Sequence, residues 1–207
     1  MQTNDSNICV VILTGGLSSR MGGGIKSFEK FNNKTIFDRI LERIIPQTKH
    51  LIINSNENIK FNKYNLPIIK DYMKGHLGPL AGIHASMNWV KYNIPQIEWI
   101  VSVPSDTPFI PINLVKKLYD KALNNNKHIV LAKSNNKIHP VIGLWKSNLL
   151  EDLEKNLNNG IRKIMLWAKN HPFDTQSFDQ NIFDPFFNIN FKDDLIEAKK
   201  IEDRYLL

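Results

Sequence analysis

A glycine-rich segment with two cations, LTGGLSSRMGGGIK at positions 13–26, directly follows a run of apolar residues. Its five glycines allow backbone N–H groups to approach the oxygens of a phosphate closely. Arg20 and Lys26 could neutralise negative charge that a loop of backbone amides alone would leave. We therefore predict that this segment binds the phosphates of a ligand.

Two well-known phosphate-binding loops do not fit this segment. A Walker loop requires glycine immediately before its lysine, but Ile25 precedes Lys26. The dinucleotide-binding fingerprint requires Gly-x-Gly-x-x-Gly at the start of a helix, which Gly15-Gly16-Leu17 does not provide. The alternative is a surface loop in which the glycines only form turns.

Asp106 is a candidate metal ligand because it follows a predicted central strand over residues 99–103. At the carboxyl edge of a sheet its carboxylate could hold Mg²⁺, which commonly takes one or two protein carboxylates together with substrate phosphates. The alternative interpretation is a turn that caps the helix predicted from Ile112.

Four further polar residues follow or lie within predicted strands. Asn54 and Asp71 end two short strands, where they could bind a ligand or simply form turns. In Asn188-Ile189-Asn190, strand alternation would place both amides on one face, toward a ligand or a metal-bound water, although asparagine is frequent throughout this chain. His139 precedes an apolar strand, and we interpret it as a structural residue.

The elements that must position these residues alternate between strand and helix over the first 130 residues. Residues 8–13 are continuously apolar and predict a strand buried on both faces, and Thr35 is a candidate N-cap for a helix over 36–45. Further strands are predicted at 51–53, 67–69, 99–103, 129–132, 141–145 and 186–189, and helices at 78–90, 112–123, 149–157, 161–168 and after 189. This order predicts a three-layer α/β/α fold with a mostly parallel, twisted sheet, and a site beyond the carboxyl ends of its strands.

Composition favours an ordinary globular protein. The 207 residues are 42% hydrophobic and 23% charged, and we expect one domain over 1–207 and a monomer. The net charge of +7 suits an anionic ligand, but the basic residues are dispersed and not interleaved with aromatic residues, so we expect no binding to nucleic acid.

Several other classes of protein are not expected from this sequence. No apolar run is long enough to cross a bilayer, and the first residues do not resemble a signal peptide, so we expect no membrane association and a cytoplasmic location. Cys9 is the only cysteine and cannot form an intramolecular disulfide, and the six histidines show no spacing suited to zinc.

Four pieces, LTGGLSSRMGGGIK, GPLAG, PSDTPF and NIN, occur in the order and approximate spacing seen in molybdenum cofactor guanylyltransferases. The chain resembles that family over nearly its whole length. Cytidylyltransferases share the general pattern of the glycine-rich segment, whereas Gly15-Gly16 and GPLAG favour the guanylyl enzymes. The chain departs from the family in having Thr14 where alanine is usual and Phe191-Lys192 where Thr-Pro is frequent.

This resemblance implies a Rossmann-like nucleotidyltransferase that uses Mg²⁺ to transfer GMP from GTP to the terminal phosphate of molybdopterin-bound molybdenum, releasing pyrophosphate. It implies contacts to GTP from Leu13, Thr14, Gly15, Lys26, Asn54, Asp71 and Asp106. Asp106 would also bind the metal, and Arg20 would face the departing phosphates. Asn188 and Asn190 would lie beside the acceptor, which is the molybdopterin cofactor.

An acceptor phosphate is already ionised near neutral pH, so catalysis would consist of alignment and charge neutralisation by Mg²⁺, Lys26 and Arg20. One alternative is a cytidylyltransferase acting on molybdopterin or another phosphate acceptor. Another is a module that binds nucleotide or molybdopterin without turnover. Other cofactor-biosynthesis proteins or molybdoenzymes are further candidate partners.

Overall fold

A computed structural model of the chain describes residues 7–15, 26–57, 59–73, 75, 78–179 and 182–205. The strands are β1 (Ile8–Leu13), β2 (Lys30–Phe31), β3 (Lys34–Thr35), β4 (His50–Asn54), β5 (Ile68–Ile69), β6 (Trp99–Pro104), β7 (Ile129–Ser134), β8 (Lys137–Lys146) and β9 (Phe173–Ser177). The α-helices are α1 (Ile36–Ile44), α2 (Pro79–Asn93), α3 (Leu114–Asn124), α4 (Leu150–Asn158), α5 (Ile164–Ala168) and α6 (Lys192–Tyr205).

Seven strands form one sheet in the order β5-β4-β1-β6-β8-β7-β9. Within this described sheet only β8 runs antiparallel to its neighbours, so the predicted mostly parallel sheet is confirmed. Leu13 at the end of β1 lies opposite both Asn54 of β4 and Pro104 of β6. The residues that follow these three strands therefore meet at one edge of the sheet.

Helices cover both faces of the sheet. This matches β1, which is apolar at every position and is therefore buried on both sides. Val10 and Ile12 face a core shared with α1, α3 and α6, whereas Cys9 and Val11 face a core shared with α2, α4 and α5. Each fully buried aliphatic side chain contributes about 1.5–3 kcal/mol to folding. The predicted three-layer α/β/α fold is confirmed.

The predicted N-cap of α1 is confirmed. The Thr35 hydroxyl accepts a hydrogen bond from the Asp38 backbone N–H at 3.0 Å, and the Asp38 carboxylate accepts one from the Thr35 N–H at 3.2 Å. This reciprocal capping box fixes the start of α1 directly after the β2–β3 hairpin.

The elements predicted from the sequence differ from the structure in the second half of the chain. The strand predicted over 186–189 is a turn followed by irregular backbone, and the apolar residues that suggested it, Phe186 and Ile189, are buried in the core without joining the ladder of the sheet. The edge strand β9 was missed because its half-exposed residues are mostly polar. The helix predicted over 161–168 begins only at Ile164, since Gly160, at a φ of 85°, ends the preceding helical segment.

Candidate active site

The end of β1 forms the floor of the candidate site. Leu13 O accepts a hydrogen bond from the Ser105 N–H at 3.0 Å. Thr14 donates from its N–H (3.0 Å) and its hydroxyl (2.8 Å) to Asn54 O. The chain that leaves β1 is therefore bound to the segments that leave β6 and β4. At Gly15, which follows, no atom of the described residues beyond its chain neighbours lies within 4 Å of where a Cβ would be.

Lys26 lies at the centre of the charged part of the site. It begins a 3₁₀ turn over Lys26–Phe28, and its Nζ donates to Asp106 Oδ2 at 2.9 Å and to Asn190 Oδ1 at 2.7 Å. The Lys26 and Asp106 side chains keep 19% and 24% of their accessible surface, so a ligand can reach both. Three segments far apart in sequence thus place one cation between two oxygen atoms that accept its hydrogen bonds.

Asp106 does not cap α3. The residue before that helix is Asn113, and the Asp106 carboxylate instead accepts from Lys26 and from the Thr107 hydroxyl at 3.3 Å. The capping alternative is therefore wrong. The Asp106 carbonyl accepts the Ile189 N–H at 2.9 Å, which ties residues 188–190 to the end of β6.

Asn54 and Asp71 form a second cluster at the same edge. The Asn54 amide donates to Asp71 Oδ1 at 3.0 Å. The Asn56 amide donates to Asp71 Oδ2 at 3.0 Å, and the Asp71 N–H donates to Asn56 Oδ1 at 3.1 Å. Sequence reasoning missed Asn56, although its spacing from Asn54 at a strand end could have pointed to it.

The GPLAG segment supplies the start of α2 and a close helix approach. A Cβ on Gly82 would overlap Asn54 Oδ1 and lie 2.8 Å from Leu13 Cδ2. Glycine at this position therefore lets α2 pack directly against two predicted nucleotide contacts. His84, two residues further, is buried, and burial lowers its pKa below the ordinary 6.5, against the opposing effects of Glu154 and Asp71.

The other predicted residues have different outcomes. Arg20 lies outside the described residues. Asn188 and Asn190 are both exposed, and Asn190 reaches Lys26. The segment is not a strand, so strand alternation does not place the two amides on one face. His139 makes structural contacts, as interpreted: its ring packs against Phe186 with the centroids 4.9 Å apart.

The side-chain atoms at the site that could coordinate a metal ion are oxygen atoms. Among the described residues, no group of three or more His, Cys, Asp and Glu side chains could hold a metal ion. Asp106 Oδ2 and Asn190 Oδ1, however, both bind the Lys26 ammonium, so the position already accommodates a cation with oxygen ligands. Oxygen ligands suit Mg²⁺, which needs few protein ligands when substrate phosphates and water complete its shell.

An apolar groove of about 380 Å³ lies away from these residues. It is lined by residues that include His50 and Leu51 at the amino end of β4, together with Leu66, Trp89 and Ile94. None of the predicted site residues lines it. The convergence of polar side chains, and not concavity, marks the candidate site.

No helix of the described residues is long and apolar enough to cross a membrane.

Comparisons with known proteins define the class first. Residues 10–172 match the family model of the MobA-like NTP transferase domain. A crystal structure of molybdopterin-guanine dinucleotide biosynthesis protein A from Archaeoglobus fulgidus has the same fold, with a TM-score of 0.76, 24% identity and coverage of 94% of this chain and 98% of that one. A cytidylyltransferase from Leptospira borgpetersenii shares the fold at a TM-score of 0.68 and 15% identity, covering 97% of this chain and 88% of that one. The chain is an α/β nucleotidyltransferase.

Sequence relatives then give the particular family. A molybdenum cofactor guanylyltransferase from Rhodopseudomonas palustris is 37% identical over 193 residues, which is 92% of each chain. One from Brucella ovis is 33% identical over 211 residues, covering 96% of this chain and 94% of that protein. The protein belongs to the molybdenum cofactor guanylyltransferase family, as the sequence pieces predicted.

Proposed function

We propose that this protein transfers GMP from GTP to the phosphate of the molybdopterin cofactor, giving the guanine dinucleotide form and pyrophosphate. Membership of the guanylyltransferase family supports this reaction. The observation that carries the proposal is the Lys26 ammonium between Asp106 and Asn190, because it joins a cation, a carboxylate and an amide beside the glycine-rich segment.

The nucleotide is assigned to the floor of the site and its phosphates to the charged part. Leu13, Thr14 and Gly15 lie at the carboxyl end of β1, where a ligand approaches in an α/β sheet. The Asn54–Asp71 pair lies beside them at the end of β4. Lys26 and Arg20 are assigned to the phosphates, and Asn188 and Asn190 to the acceptor side.

Nucleotidyltransferases of this family generally use a divalent cation. We assign Mg²⁺ to Asp106, because this carboxylate is accessible and already binds a cation. When bound, Mg²⁺ would neutralise negative charge on the phosphates of GTP. Lys26 would then exchange its contact with Asp106 for a contact with phosphate oxygens.

The reaction needs alignment more than proton transfer. An oxygen of the ionised acceptor phosphate attacks the α-phosphorus of GTP, and the bond to the β-phosphate breaks in line with it. Lys26 and Arg20 offset the charge that develops on the departing pyrophosphate. The bonds of Asn54 and Asn56 to Asp71 hold its carboxylate in one orientation beside the nucleotide.

We further propose that the chain acts as a single nucleotidyltransferase domain and as a monomer in the cytoplasm, with GTP and molybdopterin as its substrates. The one sheet that contains strands from Ile8 to Ser177 supports the single domain. Cys9 is buried in the core, and burial raises the pKa of its thiol to about 12, so the thiol stays protonated near neutral pH.

The decisive experiment measures pyrophosphate release from GTP and from CTP, each with Mg²⁺ and with or without molybdopterin. We expect release from GTP only when molybdopterin is present. Thermal stabilisation by GTP should exceed that by CTP, since a ligand at 100 times its Kd adds about 2.7 kcal/mol. Equal or better use of CTP would make the protein a cytidylyltransferase, and tight binding without pyrophosphate would make it a carrier.

A further inference from the structure

A partly buried polar cluster is joined to the segment that leads to Asn188 and Asn190 on the acceptor side of the site. It consists of Ser134 at the end of β7, His139 on β8 and Asp184, and we call it the Ser134 cluster. The Ser134 hydroxyl is 2.7 Å from Asp184 Oδ1, to which it donates, and 2.7 Å from His139 Nε2. Since a hydroxyl has one proton, His139 must donate its Nε2–H to Ser134.

The order of these three groups differs from that of a Ser-His-Asp catalytic triad. In a nucleophilic triad, histidine lies between serine and the carboxylate, whereas here serine lies between the other two. Ser134 is also fully buried, with 0% of its surface accessible, so a substrate cannot reach its hydroxyl. The Ser134 cluster therefore has a structural role, which is to hold the segment that follows Asp184 in place.

Asp184 connects Ser134 to the turn at Phe186. Its Oδ1 also accepts the Phe186 N–H at 2.9 Å, and its carbonyl accepts the Phe187 N–H at 3.0 Å. Phe186 is buried between the His139 ring and Phe178, with centroid distances of 4.9 and 5.4 Å. One buried hydroxyl thus anchors the first residues of the irregular segment that leads to the active site.

The same segment contacts the charged part of the site a few residues later. The Ile189 N–H donates to Asp106 O at 2.9 Å, and Asn190 Oδ1 accepts from Lys26 at 2.7 Å. At its far end, the Asn190 and Phe191 N–H groups donate to Asp194 Oδ2 at 2.7 and 2.8 Å, at the start of α6. Residues 184–191 are outside the strand ladders, so ladder hydrogen bonds do not set their register.

We propose that Ser134 and Asp184 are positioning residues that set the register of residues 186–190 against Asp106 and Lys26, and thereby control how the acceptor phosphate is aligned. The assignment to the acceptor rests on the proposed function. Apart from Lys26 and Asp106, the predicted GTP contacts lie at or just after the ends of β1, β4 and β5, and β6 and β8 separate these strands from β7. Loss of the Ser134 hydroxyl should therefore affect the acceptor much more than GTP.

The test compares Ser134→Ala with a matched control, Ser102→Ala. Ser102 is equally buried, on β6, and its hydroxyl also makes two hydrogen bonds, to Val141 O at 2.6 Å and from Trp145 Nε1 at 2.8 Å. For Ser134→Ala we expect a rise in the KM for molybdopterin of about tenfold and a Kd for GTP within about twofold of wild type. Ser102→Ala should leave both constants near wild type, and Ser134→Thr, which keeps the hydroxyl, should restore the acceptor KM.

Hydrogen exchange at the Ile189 amide gives a readout that needs no substrate. It should accelerate in Ser134→Ala but not in Ser102→Ala, because Ile189 donates to Asp106. Unchanged exchange together with an unchanged acceptor KM would overturn the proposal. If exchange accelerates but the wild-type protein does not transfer GMP, the positioning role stands and the proposed function fails.

Asp184→Ala serves as a second variant in case Ser134→Ala does not fold, because Asp184 is only partly buried. It removes the acceptor of the same hydroxyl and of the Phe186 N–H. We expect the same rise in acceptor KM and the same faster exchange at Ile189. Wild-type behaviour in both measurements would contradict the positioning role.

Discussion

Lys26 and Asp106, 80 positions apart in sequence, neutralise each other at the edge of the sheet. This single pair keeps about a fifth of its surface in contact with solvent, which screens it, so its contribution to stability is small. Its importance is chemical, because it brings an ammonium group and a carboxyl group to the place where phosphates and a divalent cation would bind. Single substitutions can therefore separate binding from turnover with little effect on folding.

Lys26→Ala should weaken GTP binding by about tenfold or more, because a charge-assisted hydrogen bond to phosphate is worth roughly 1.5–3 kcal/mol. Titration calorimetry with GTP and Mg²⁺ measures the Kd. Lys30→Ala is the matched control, since Lys30 is exposed on β2 only four positions away. An unaltered Kd in Lys26→Ala would make Lys26 an ordinary surface lysine.

Asp106→Asn should lower kcat by at least about 10²-fold, which corresponds to roughly 2.7 kcal/mol of transition-state stabilisation. The reason is that asparagine keeps the size of the side chain but removes the charge that holds the cation. Its melting temperature should stay near that of wild type, because Asp106 caps no helix. Transfer at the wild-type rate would refute the metal role.

At the scale of elements, asparagine residues occupy the positions of unusual backbone conformation in the segments that connect strands and helices. Among the described residues, the non-glycine positions with positive φ are all asparagine: Asn32, Asn33, Asn65, Asn126, Asn135 and Asn136. Asn32-Asn33 and Asn135-Asn136 turn the β2–β3 and β7–β8 hairpins. Asparagine tolerates this conformation better than other residues with a Cβ, so part of the high asparagine content has a structural reason.

The packing of α2 against the ends of β1 and β4 depends on Gly82. Gly82→Ala should lower both the melting temperature and the affinity for GTP, because the added methyl would displace Asn54 and Leu13. We expect a loss of about 1–3 kcal/mol in stability, measured by urea unfolding.

The double variant Gly82→Ala/Asn54→Ala is the control for this steric cause. Removing the Asn54 amide should restore most of the lost stability, although affinity for GTP should stay low. If the two substitutions destabilise additively, the overlap with Asn54 is not the cause.

At the scale of the whole molecule, a buried ion pair joins the last helix to the first half of the chain. Arg39 of α1 pairs with Glu202 of α6, donates to Phe31 O at 2.6 Å and lies 3.9 Å above the Phe31 ring. Asn32 adds a hydrogen bond to Glu202 at 2.9 Å. These contacts hold α6 on the hairpin that follows Lys26.

Arg39→Met should destabilise the fold by about 3–5 kcal/mol, because it leaves the Glu202 carboxylate buried without its partner. Urea unfolding measures the loss. In Arg39→Met/Glu202→Leu we expect a large part of it to return, since no unpaired charge remains. A double variant no more stable than Arg39→Met would show that the hydrogen bonds of Arg39 matter more than the pairing of charge.

The free energy of unfolding should decrease when the pH is lowered from 7.5 to 5.0. Burial is the main cause that lowers the pKa of His84, His128 and His139 below the ordinary 6.5. The unfolded chain therefore binds more protons, and the contribution of these histidines is complete above pH 6.5 and declines as the pH falls toward their lower folded pKa values.

Asp38 and Asp174 have pKa values below the ordinary 3.8, mainly because hydrogen bonds outweigh the opposing effect of burial, so their contribution declines only at more acidic pH. The urea midpoint should therefore be lower at pH 5.0 than at pH 7.5, and His84→Gln should reduce this difference. A midpoint independent of pH in this range would contradict the assignment.

The sequence by itself determined the elements whose pattern is local. The continuous apolar run of β1, the spacing and cap of α1, and the glycine-rich segment with Lys26 identify a buried parallel strand, an amphipathic helix and a phosphate-binding composition. Each rests on a few neighbouring residues, and the order of such elements was enough to predict the layers of the fold.

Only the tertiary structure decided which distant residues meet. Three sets of contacts join residues from different parts of the chain. Lys26 donates to Asp106 and Asn190, Asn56 donates to Asp71, and Ser134 donates to Asp184. The segment around Ile189 shows the reason most clearly: its apolar residues suggested a strand, but packing buried them while its backbone bonded to Asp106. Burial explains why a residue is apolar, whereas its hydrogen-bond partner depends on the position of every other element.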